Sequence, residues 1–465
     1  MSQIGTEADP LRVAVIGAGP TGFYAAEQLL GRKDLVVDVD MYDRLPTPYG
    51  LVRYGVAPDH QKIKSVTAVF DRTAAHPRFR FYGNVEYGRH LTLDDLTGHY
   101  HQMVFCTGAQ TDRPLGVPGE DLAGSYPATE FVAWYNGHPD YTQHSFDLEQ
   151  EVAAVVGVGN VAVDVARILL RSADELARTD IADYALEALR ESRVKEVHML
   201  GRRGPAQAAF TNPEIQELAE LPHADTTALP EEVQLDELSQ SVVERTRDHT
   251  TMKKVEVLQG VAARAPQGKP RRLVLRFLVS PTELLGRDHH VHGMRLVRNR
   301  LEATSAGTLV ARATGEVEEL PAGLVFRSVG YRGVPLPGVP FNEKWGVILN
   351  EKGRVLDPDT QEQRKGLYTA GWIKRGPSGV IGTNKPDAAE TVANMCADLE
   401  QGLALSPGHP QAEAVAALVR ERQPHAFSYA DWRTLNELEV ARGRAAGRPR
   451  VKFTRVEEML AALGR

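Results

Sequence analysis

Two segments of the chain share one pattern of hydrophobic and polar positions. Each begins with a short apolar run, RVAVIG at residues 12–17 and EVAAVVG at residues 151–157. A glycine-rich turn follows each run, and apolar residues then recur at helical spacing in PTGFYAAEQLLG (residues 20–31) and NVAVDVARILL (residues 160–170). The pattern predicts two strand–turn–helix units, each built on a buried parallel strand.

The glycine spacing of the first turn is typical of a dinucleotide-binding site. In GAGPTG, Gly17 permits a tight turn, Gly19 lets the backbone approach a pyrophosphate, and Gly22 lets helix and strand pack closely. The phosphate would lie at the N-terminus of the helix, where unpaired N–H groups and the helix dipole favour an anion. A glycine turn that serves packing alone is the alternative interpretation.

The two units differ in the residues that follow their second strands. The first leads into VVDVDMYD, which closes on Asp43, 21 residues after Gly22; an acid that binds a ribose hydroxyl pair is expected at a spacing of ~20. The second turn, GVGNVA, has Ala162 as its third small residue and leads into KEVHMLGRR, which ends in Arg202 and Arg203. Two guanidinium groups suit a 2′-phosphate and predict NADP(H) rather than NAD(H), whereas a solvated surface pair is the alternative.

Later segments indicate how the two units are connected. VFCTGAQ and LVFRSVGYRG each show an apolar strand that ends in a turn, and GLYTAGWIKRGPSGVIG shows a strand followed by a glycine-rich loop. Such crossings are expected where a chain leaves one nucleotide-binding domain for an inserted second one and later returns. We therefore predict an α/β protein with two Rossmann-like domains, the first formed by residues 1–110 and 337–465 and the second by residues 111–336.

Composition and charge exclude several classes of protein. The 465 residues are 42% hydrophobic and 25% charged, as in ordinary globular proteins, and the net charge of -7 argues against a general nucleic-acid binder. Cys106 and Cys396 are far apart, which excludes a CxxC redox pair, a cysteine-ligated iron–sulfur cluster and a disulfide framework; we expect both to be buried. Neither a signal peptide nor an apolar run of ~18 residues is evident, so we expect a cytoplasmic protein without a membrane span.

Several longer strings resemble one protein family. They include PTPYGLVRYGVAPDHQKIK, RFRFYGNVEYG, VPGEDLAG, GNVAVDVARILL, GRRGPAQAAFT, RSVGYRG and GWIKRGPSGVIGTNK, and they are spread over nearly the full length. With these strings the chain resembles the adrenodoxin reductase family of NADPH:ferredoxin reductases, and especially its mycobacterial FprA-type branch. The resemblance implies a ferredoxin–NADP⁺ reductase with FAD in the discontinuous domain and NADPH in the inserted one.

The resemblance also implies which residues contact the two cofactors. For FAD it indicates the glycines of the first turn together with Ala18, Asp43, Leu51, Val85, Trp372, Gly379, Val380 and Ile381. For NADPH it indicates Val158, Gly159, Asn160, Val161, Arg202, Arg203, Glu214 and Gly379. Taken without the resemblance, Glu214 is equally well explained as a solvated acid early in a helix.

The reaction of this family needs no side-chain nucleophile. NADPH passes a hydride to the flavin when their rings stack, and single electrons then leave for a ferredoxin. His60 and Glu217 match a family pair beside the nicotinamide site that is thought to tune cofactor binding and proton handling. For His60, a surface histidine in a loop is the alternative.

The expected partner is an acidic iron–sulfur protein, for which a basic docking face is needed. In adrenodoxin reductases, basic residues just beyond the arginine pair help supply that face, but here this segment, NPEIQELAELPHADTT, is acid-rich. We therefore expect Lys374, Arg375 and Lys385, or the basic stretch ARGRAAGRPRVKFTR near the end of the chain, to contribute. A solvated face is the alternative for that stretch, and our working expectation for the oligomeric state is a monomer.

Three other functions are compatible with parts of the pattern. A disulfide reductase shares both folds but needs paired cysteines, which the chain lacks. An FAD- and NADPH-dependent monooxygenase is a second possibility, and a stable peroxyflavin after reduction would favour it. A flavoprotein subunit of a larger electron-transfer complex is the third, and it would hold FAD without NADPH-driven reduction of an artificial acceptor.

Overall fold

Two largely parallel β-sheets form the framework of the protein, in a computed structural model that describes residues 4–465. The strands are β1 Leu11–Ile16, β2 Val37–Tyr42, β3 Phe79–Tyr82, β4 Gln102–Phe105, β5 Thr111–Asp112, β6 Ser125–Pro127, β7 Val152–Val156, β8 Glu196–Gly201, β9 Ala224–Ala228, β10 Arg271–Phe277, β11 Val279–Arg287, β12 His290–Ala303, β13 Leu309–Pro321, β14 Leu324–Arg327, β15 Tyr331–Arg332, β16 Phe341–Asn342, β17 Val347–Ile348, β18 Asn350–Glu351, β19 Arg354–Leu356 and β20 Gln363–Thr369.

The helices cover and connect these sheets. They are α1 Pro20–Leu30, α2 Leu51–Tyr54, α3 Gln61–Lys64, α4 Thr67–Ala74, α5 Leu93–Thr97, α6 Ala128–Tyr135, α7 Asn160–Leu170, α8 Ala173–Leu176, α9 Asp183–Arg190, α10 Asn212–Ala219, α11 Pro230–Val233, α12 Glu237–Thr246, α13 His249–Ala263, α14 Trp372–Arg375, α15 Asn384–Glu400, α16 Ala412–Arg422, α17 Tyr429–Ala445 and α18 Val456–Ala462. Short 3₁₀ helices span Pro139–Tyr141, Pro205–Gln207 and Ile381–Thr383.

The first sheet combines the two ends of the chain. Its strand order is β18-β19-β20-β4-β1-β2-β3, with β1 parallel to β2 and β4 and with β20 parallel to β4. Helices α1 and α15 pack together in a core that includes the buried side chains of Phe23, Val392 and Met395. Three strands and a helix from the last quarter of the chain thus complete the unit that begins at the first glycine turn.

The second sheet is built from the middle of the chain. Its order is β6-β14-β7-β8-β10-β9, and every neighbouring pair in it is parallel. The antiparallel sheet β11-β12-β13 packs against it through Val156, Leu200 and Met294. The predicted α/β class with two Rossmann-like units is therefore confirmed. The strands of the first sheet lie before residue 110 and after residue 336, and those of the second sheet lie between these two positions. The exact domain boundaries at residues 110 and 336 stay a prediction.

Polar contacts between the two units fix how they meet. The short strands β5 and β15 pair where the chain crosses between them. Near the end of the chain, the buried Lys452 donates from Nζ to the carbonyl oxygen of Asn136 at 3.0 Å, and Arg448 forms an ion pair with Asp183. Lys64, from the first unit, donates to Asp180 of the second at 2.7 Å. Part of the basic C-terminal stretch therefore holds the two units together.

Candidate functional site

The first glycine turn has the geometry that its three glycines predict. Gly17 has a φ of 107°, and a Cβ there would lie 2.6 Å from the carbonyl oxygen of Cys106. A Cβ at Gly22 would clash with the carbonyl oxygen of Gly17, so only glycine allows this approach of helix α1 to strand β1. At Gly19, in contrast, a Cβ would meet nothing within 4 Å. The turn therefore leaves open space above Gly19, where a phosphate would bind.

Asp43 follows strand β2 and closes onto the first turn. Its carboxylate accepts hydrogen bonds from the backbone N–H groups of Ala18 at 2.8 Å and Leu45 at 2.9 Å. Burial raises the pKa of Asp43, and the two backbone hydrogen bonds oppose this effect. The carboxylate thus stands beside the open turn, at the place where a ribose hydroxyl pair is expected.

The returning part of the chain contributes a glycine-rich loop next to this turn. Gly371 has a φ of 79°, and a Cβ there would clash with the side chain of Thr21 on α1. Trp372 donates from Nε1 to the carbonyl oxygen of Ser378 at 3.1 Å, which ties the two ends of the loop together. Tertiary structure therefore brings the segment around residues 371–381 to the N-terminus of α1.

The predicted flavin-lining residues differ in exposure. Val380 is 51% exposed and Leu51 is 37% exposed, so both side chains are accessible to a bound ring system. Val85 is 1% exposed and belongs to the core beneath the sheet, and its backbone N–H already donates to the carbonyl oxygen of Asp43. Any contact of Val85 with a cofactor would thus use other backbone atoms or the edge of its side chain.

The second turn repeats the geometry of the first. Gly157 has a φ of 136°, and a Cβ there would clash with the carbonyl oxygen of Ser328; at Gly159 a Cβ would meet nothing within 4 Å. The side chain of Asn160 accepts a hydrogen bond from the backbone N–H of Thr211 at 3.0 Å. Its amide oxygen is therefore used to hold the following loop, and its backbone N–H remains the group suited to a phosphate.

The side chains of Arg202 and Arg203 follow strand β8 and are available to a ligand. Arg202 is exposed and Arg203 is half-buried, and neither forms an ion pair with any carboxylate in residues 4–465. Burial and the neighbouring charge of Arg202 lower the pKa of Arg203. Two adjacent cations without counter-ions are a suitable site for an anion.

Three observations show that the two turns are suited to binding dinucleotides. Helices α1 and α7 have Gly19 and Gly159 as N-cap residues and no side-chain cap, so the N–H groups in their first turns are available to phosphate oxygens, except at Pro20, which has none. Neither glycine has a neighbour where a Cβ would lie. Beside the first turn, the buried hydroxyl of Thr107 has no hydrogen-bond partner in the part of the chain that the structure describes. Each of these groups would be satisfied by a ligand lying along the turn.

His60 and Glu217, which are 157 residues apart, are in contact. Nε2 of His60 lies 2.9 Å from Oε2 of Glu217. Burial opposes the charged form of His60, but the hydrogen bond to Glu217 and nearby carboxylates raise its pKa above the ordinary value, and the bond to His60 lowers the pKa of Glu217. The structure thus brings the predicted pair together, one residue from each unit.

A network of charged residues surrounds this pair, and sequence reasoning missed it. Arg167, whose side chain is 0% exposed, donates to Asp59 from Nε at 2.7 Å and to Asp164 from Nη2 at 2.6 Å. Burial raises the pKa of Asp164 to about 6. One signal was present: Asp164 and Arg167 are charged residues in the otherwise apolar helix NVAVDVARILL.

Glu214 is buried in the same network. It is 8% exposed and accepts a hydrogen bond from Nη1 of Arg167 at 3.2 Å. The alternative interpretation of Glu214 as a solvated acid is therefore wrong. Its position one helical turn before Glu217 places both carboxylates beside His60, because residues three apart on a helix lie on the same face.

The prediction that the cations beside the flavin loop form a docking face is partly wrong. Lys374 is buried, at 8% exposure, and pairs with Asp387 at 3.1 Å, so it cannot present its charge to a partner protein. Lys385 remains exposed, and its Nζ lies 3.2 Å from a carboxylate oxygen of Glu27. The charge of Lys374 is used inside the fold, in an ion pair that joins the loop to α15.

Two further expectations can be compared with the structure. Cys106 and Cys396 are both free and buried, as predicted, and burial raises the pKa of each thiol. Among residues 4–465, none of the helices combines the length and the apolar composition that a membrane crossing requires.

Comparison with known proteins identifies close relatives. Residues 11–225 match the family described as pyridine nucleotide-disulphide oxidoreductase. The chain is 47% identical over 461 residues to NADPH-ferredoxin reductase FprA of Mycobacterium tuberculosis, covering 97% of this chain and 98% of that protein. It is 40% identical over 462 residues to the mitochondrial NADPH:adrenodoxin oxidoreductase of Arabidopsis thaliana, covering 97% and 95% of the two chains.

A solved structure gives the same result at the level of the fold. Mycobacterium tuberculosis FprA in complex with NADPH superposes with a TM-score of 0.91 at 47% identity, covering 98% of this chain and 100% of the other. Full-length similarity of this kind includes both glycine turns and the returning segment.

Proposed function

Because this chain belongs to the adrenodoxin reductase family of NADPH:ferredoxin reductases, we propose that its two glycine turns divide the work of that reaction between FAD and NADPH. The protein is a ferredoxin–NADP⁺ reductase, an oxidoreductase that uses FAD and NADP(H). Its residues divide into those that would bind FAD, those that would bind NADPH and those that would hold the proton that accompanies the electrons.

We assign FAD to the first turn. Asp43 would bind the ribose hydroxyls, and the open backbone above Gly19 would receive the pyrophosphate. The exposed side chains of Leu51 and Val380 would cover the ring system, which their exposure in the protein alone supports. Trp372 and the N–H groups of Gly379 and Ile381 would contact the flavin as well. The full set of residues assigned to FAD is Ala18, Asp43, Leu51, Val85, Trp372, Gly379, Val380 and Ile381.

We assign NADPH to the second turn. The open backbone at Gly159 would receive the pyrophosphate, and Arg202 and Arg203 would bind the 2′-phosphate. The observation that carries this assignment is the pair of adjacent cations at the end of β8, which form no ion pair with a carboxylate of residues 4–465 and are opposite in sign to Asp43 at the end of β2. A 2′-phosphate distinguishes NADPH from NADH, so these two side chains would set the choice of nicotinamide cofactor.

Bound FAD supplies the chemistry of accepting a hydride and releasing single electrons. The contribution of the chain is position and charge. His60 and Glu217 would lie beside the nicotinamide ring. There the imidazole can hold or release a proton at Nε2, which lies next to the carboxylate of Glu217. The buried cluster around Arg167 would hold this pair in position, because Arg167, Asp59, Asp164 and Glu214 are all largely buried beside it.

The electron acceptor is an iron–sulfur protein, and we propose that it is a small acidic ferredoxin. The names of the relatives support this choice, since FprA is a ferredoxin reductase and the Arabidopsis relative acts on adrenodoxin. We further propose that the chain acts in the cytoplasm as a monomer. Fractionation of the source cells and light scattering of the purified protein would test these two points.

One experiment tests the function as a whole. The purified protein, with its flavin spectrum recorded, is reduced with NADPH or NADH, and electrons are then followed into ferredoxins from the same organism. We expect rapid flavin bleaching with NADPH, slow bleaching with NADH, and one or more ferredoxins reduced. A stable peroxyflavin in place of ferredoxin reduction would favour the monooxygenase alternative, and FAD that NADPH does not reduce would favour the subunit of a larger complex.

A further inference from the structure

A single arginine lies at the centre of the charged network where the two units meet. Arg167 is on α7 of the second unit. It donates two hydrogen bonds to the carboxylate of Asp59 in the first unit, from Nε at 2.7 Å and from Nη2 at 3.1 Å. It also donates to Asp164 and Glu214. A guanidinium that is wholly buried requires such partners, so its position and orientation are tightly defined.

The same guanidinium reaches the histidine of the predicted pair. Nη2 of Arg167 lies 3.4 Å from Nδ1 of His60, at the long end of the hydrogen-bond range. Nη2 carries two N–H groups, which also contact Asp164 at 2.6 Å and Asp59 at 3.1 Å, so His60 shares one of them. A guanidinium can only donate, so this shared contact favours an Nδ1 that carries no proton. On the other side of the ring, Nε2 lies 2.9 Å from a carboxylate oxygen of Glu217, which can only accept, so Nε2 must carry the proton. Both contacts favour the same tautomer.

We propose that Arg167 is a positioning residue: it fixes the neutral imidazole of His60 as the Nε2–H tautomer that points its proton at Glu217. The proposal rests on the proposed function in one respect, the place of His60 beside the nicotinamide. In this role Arg167 touches neither cofactor nor substrate. Together with Glu217, it determines which nitrogen of His60 holds the proton.

The charges around His60 predict the direction of a second effect. The groups that face it are Asp59 on its own loop, Asp164 and Arg167 on α7, and Glu214 and Glu217 on α10, with Arg171 bound to Glu217. The positive charge of Arg167 lowers the pKa of His60, and the carboxylates raise it. Removal of Arg167 should therefore raise the pKa of His60, so that the imidazole becomes charged at a higher pH.

Nitrogen-15 NMR of the FAD-loaded full chain can test both effects. Histidine is labelled, His60 is assigned by comparison with His60→Gln, and spectra are recorded at alkaline pH and through a titration. Arg167→Gln removes the cation. Arg167→Lys keeps the charge but offers fewer N–H groups, and it serves if Arg167→Gln fails to fold. Arg171→Gln is the matched control, because Arg171 also contacts Asp59 and Glu217, at 2.9 Å each.

The wild type should show one tautomer, with the proton on Nε2. In Arg167→Gln the ratio of Nε2–H to Nδ1–H forms should fall roughly tenfold, as expected for loss of one hydrogen bond from a charged donor. The titration midpoint of His60 should also rise. Arg167→Lys should show the tautomer effect with a smaller change of midpoint. Arg171→Gln should leave the tautomer ratio unchanged.

Two results would overturn the proposal. One is a His60 that keeps its single Nε2–H tautomer in both variants of Arg167. The other is an equal change of tautomer in Arg171→Gln, which would show a general effect of charge in place of positioning. Because the spectra need no NADPH, failure of the proposed function would appear separately, as wild-type flavin that NADPH does not reduce.

Discussion

Removal of the two guanidinium groups after the second turn should change the choice of nicotinamide cofactor. The perturbation is the double substitution Arg202→Ala and Arg203→Ala. In residues 4–465 neither side chain has a carboxylate partner, so the substitutions break no internal ion pair and should leave the fold and the FAD content unchanged. Their effect should be confined to ligands that carry the 2′-phosphate.

The size of the effect follows from the exposure of the two side chains. A charge-assisted hydrogen bond to phosphate contributes ~1.5–3 kcal/mol, and exposure to solvent reduces this. Arg203 is half-buried and should contribute ~2 kcal/mol, whereas the exposed Arg202 should contribute ~1 kcal/mol. Together they correspond to a loss of about 150-fold in kcat/KM for NADPH, with little change for NADH.

The assay measures kcat/KM for NADPH and for NADH with an artificial one-electron acceptor, at two salt concentrations. Arg287→Ala is the matched control, since Arg287 is an exposed arginine on β11 outside the second turn. Higher salt should reduce the difference between wild type and double variant, because it screens the phosphate contact. Equal losses for NADPH and NADH would refute the assignment of these residues to the 2′-phosphate.

Four more substitutions test other parts of the site. Asp43→Ala should weaken FAD binding about tenfold or more while leaving the ratio of NADPH to NADH use unchanged, and an undiminished flavin content after dialysis would contradict its ribose role. Gly19→Ala should fold normally but lose FAD, because its Cβ enters the open space above the turn. Gly22→Ala should unfold more readily, because its Cβ meets backbone atoms. Thermal melts and flavin spectra distinguish these two outcomes. His60→Gln should lower Tm most between about pH 4.5 and 6.5. Because the folded protein raises the pKa of His60, the stabilisation from its contact with Glu217 is complete below the ordinary pKa of histidine and is lost as pH rises through the folded pKa. Because the folded protein lowers the pKa of Glu217, the stabilisation from the Glu217 carboxylate is lost in acid. A loss of Tm that is the same from pH 5 to pH 9 would contradict this sign.

The elements that sequence predicted well are those whose causes are local. The order strand, turn, helix follows from a short apolar run, a glycine that must adopt positive φ, and apolar residues at helical spacing. Gly17 and Gly157 show this directly, since both have φ values that other residues rarely adopt. The acid at Asp43 could also be placed, because a fixed number of residues leads from the turn to the end of the next strand.

The elements that sequence predicted poorly depend on distant neighbours. Lys374 is basic and next to the flavin loop, but it is buried against Asp387, so its charge is neutralised inside the fold. Glu214 is acidic and early in a helix, but Arg167 draws it into the interior. In both cases the side chain is polar enough for a surface position, and only its partner explains why it is buried.

The amino-acid sequence by itself determined two dinucleotide turns, the acid after one and the cations after the other, because these follow from spacing along a single strand–turn–helix unit. The tertiary structure decided the rest. It joined the loop at residues 371–381 to the first turn across more than 300 positions, and it brought His60 of one unit to Glu217 of the other around the buried Arg167. Charge and burial at such a junction depend on the packing of both units, which no local pattern of residues contains.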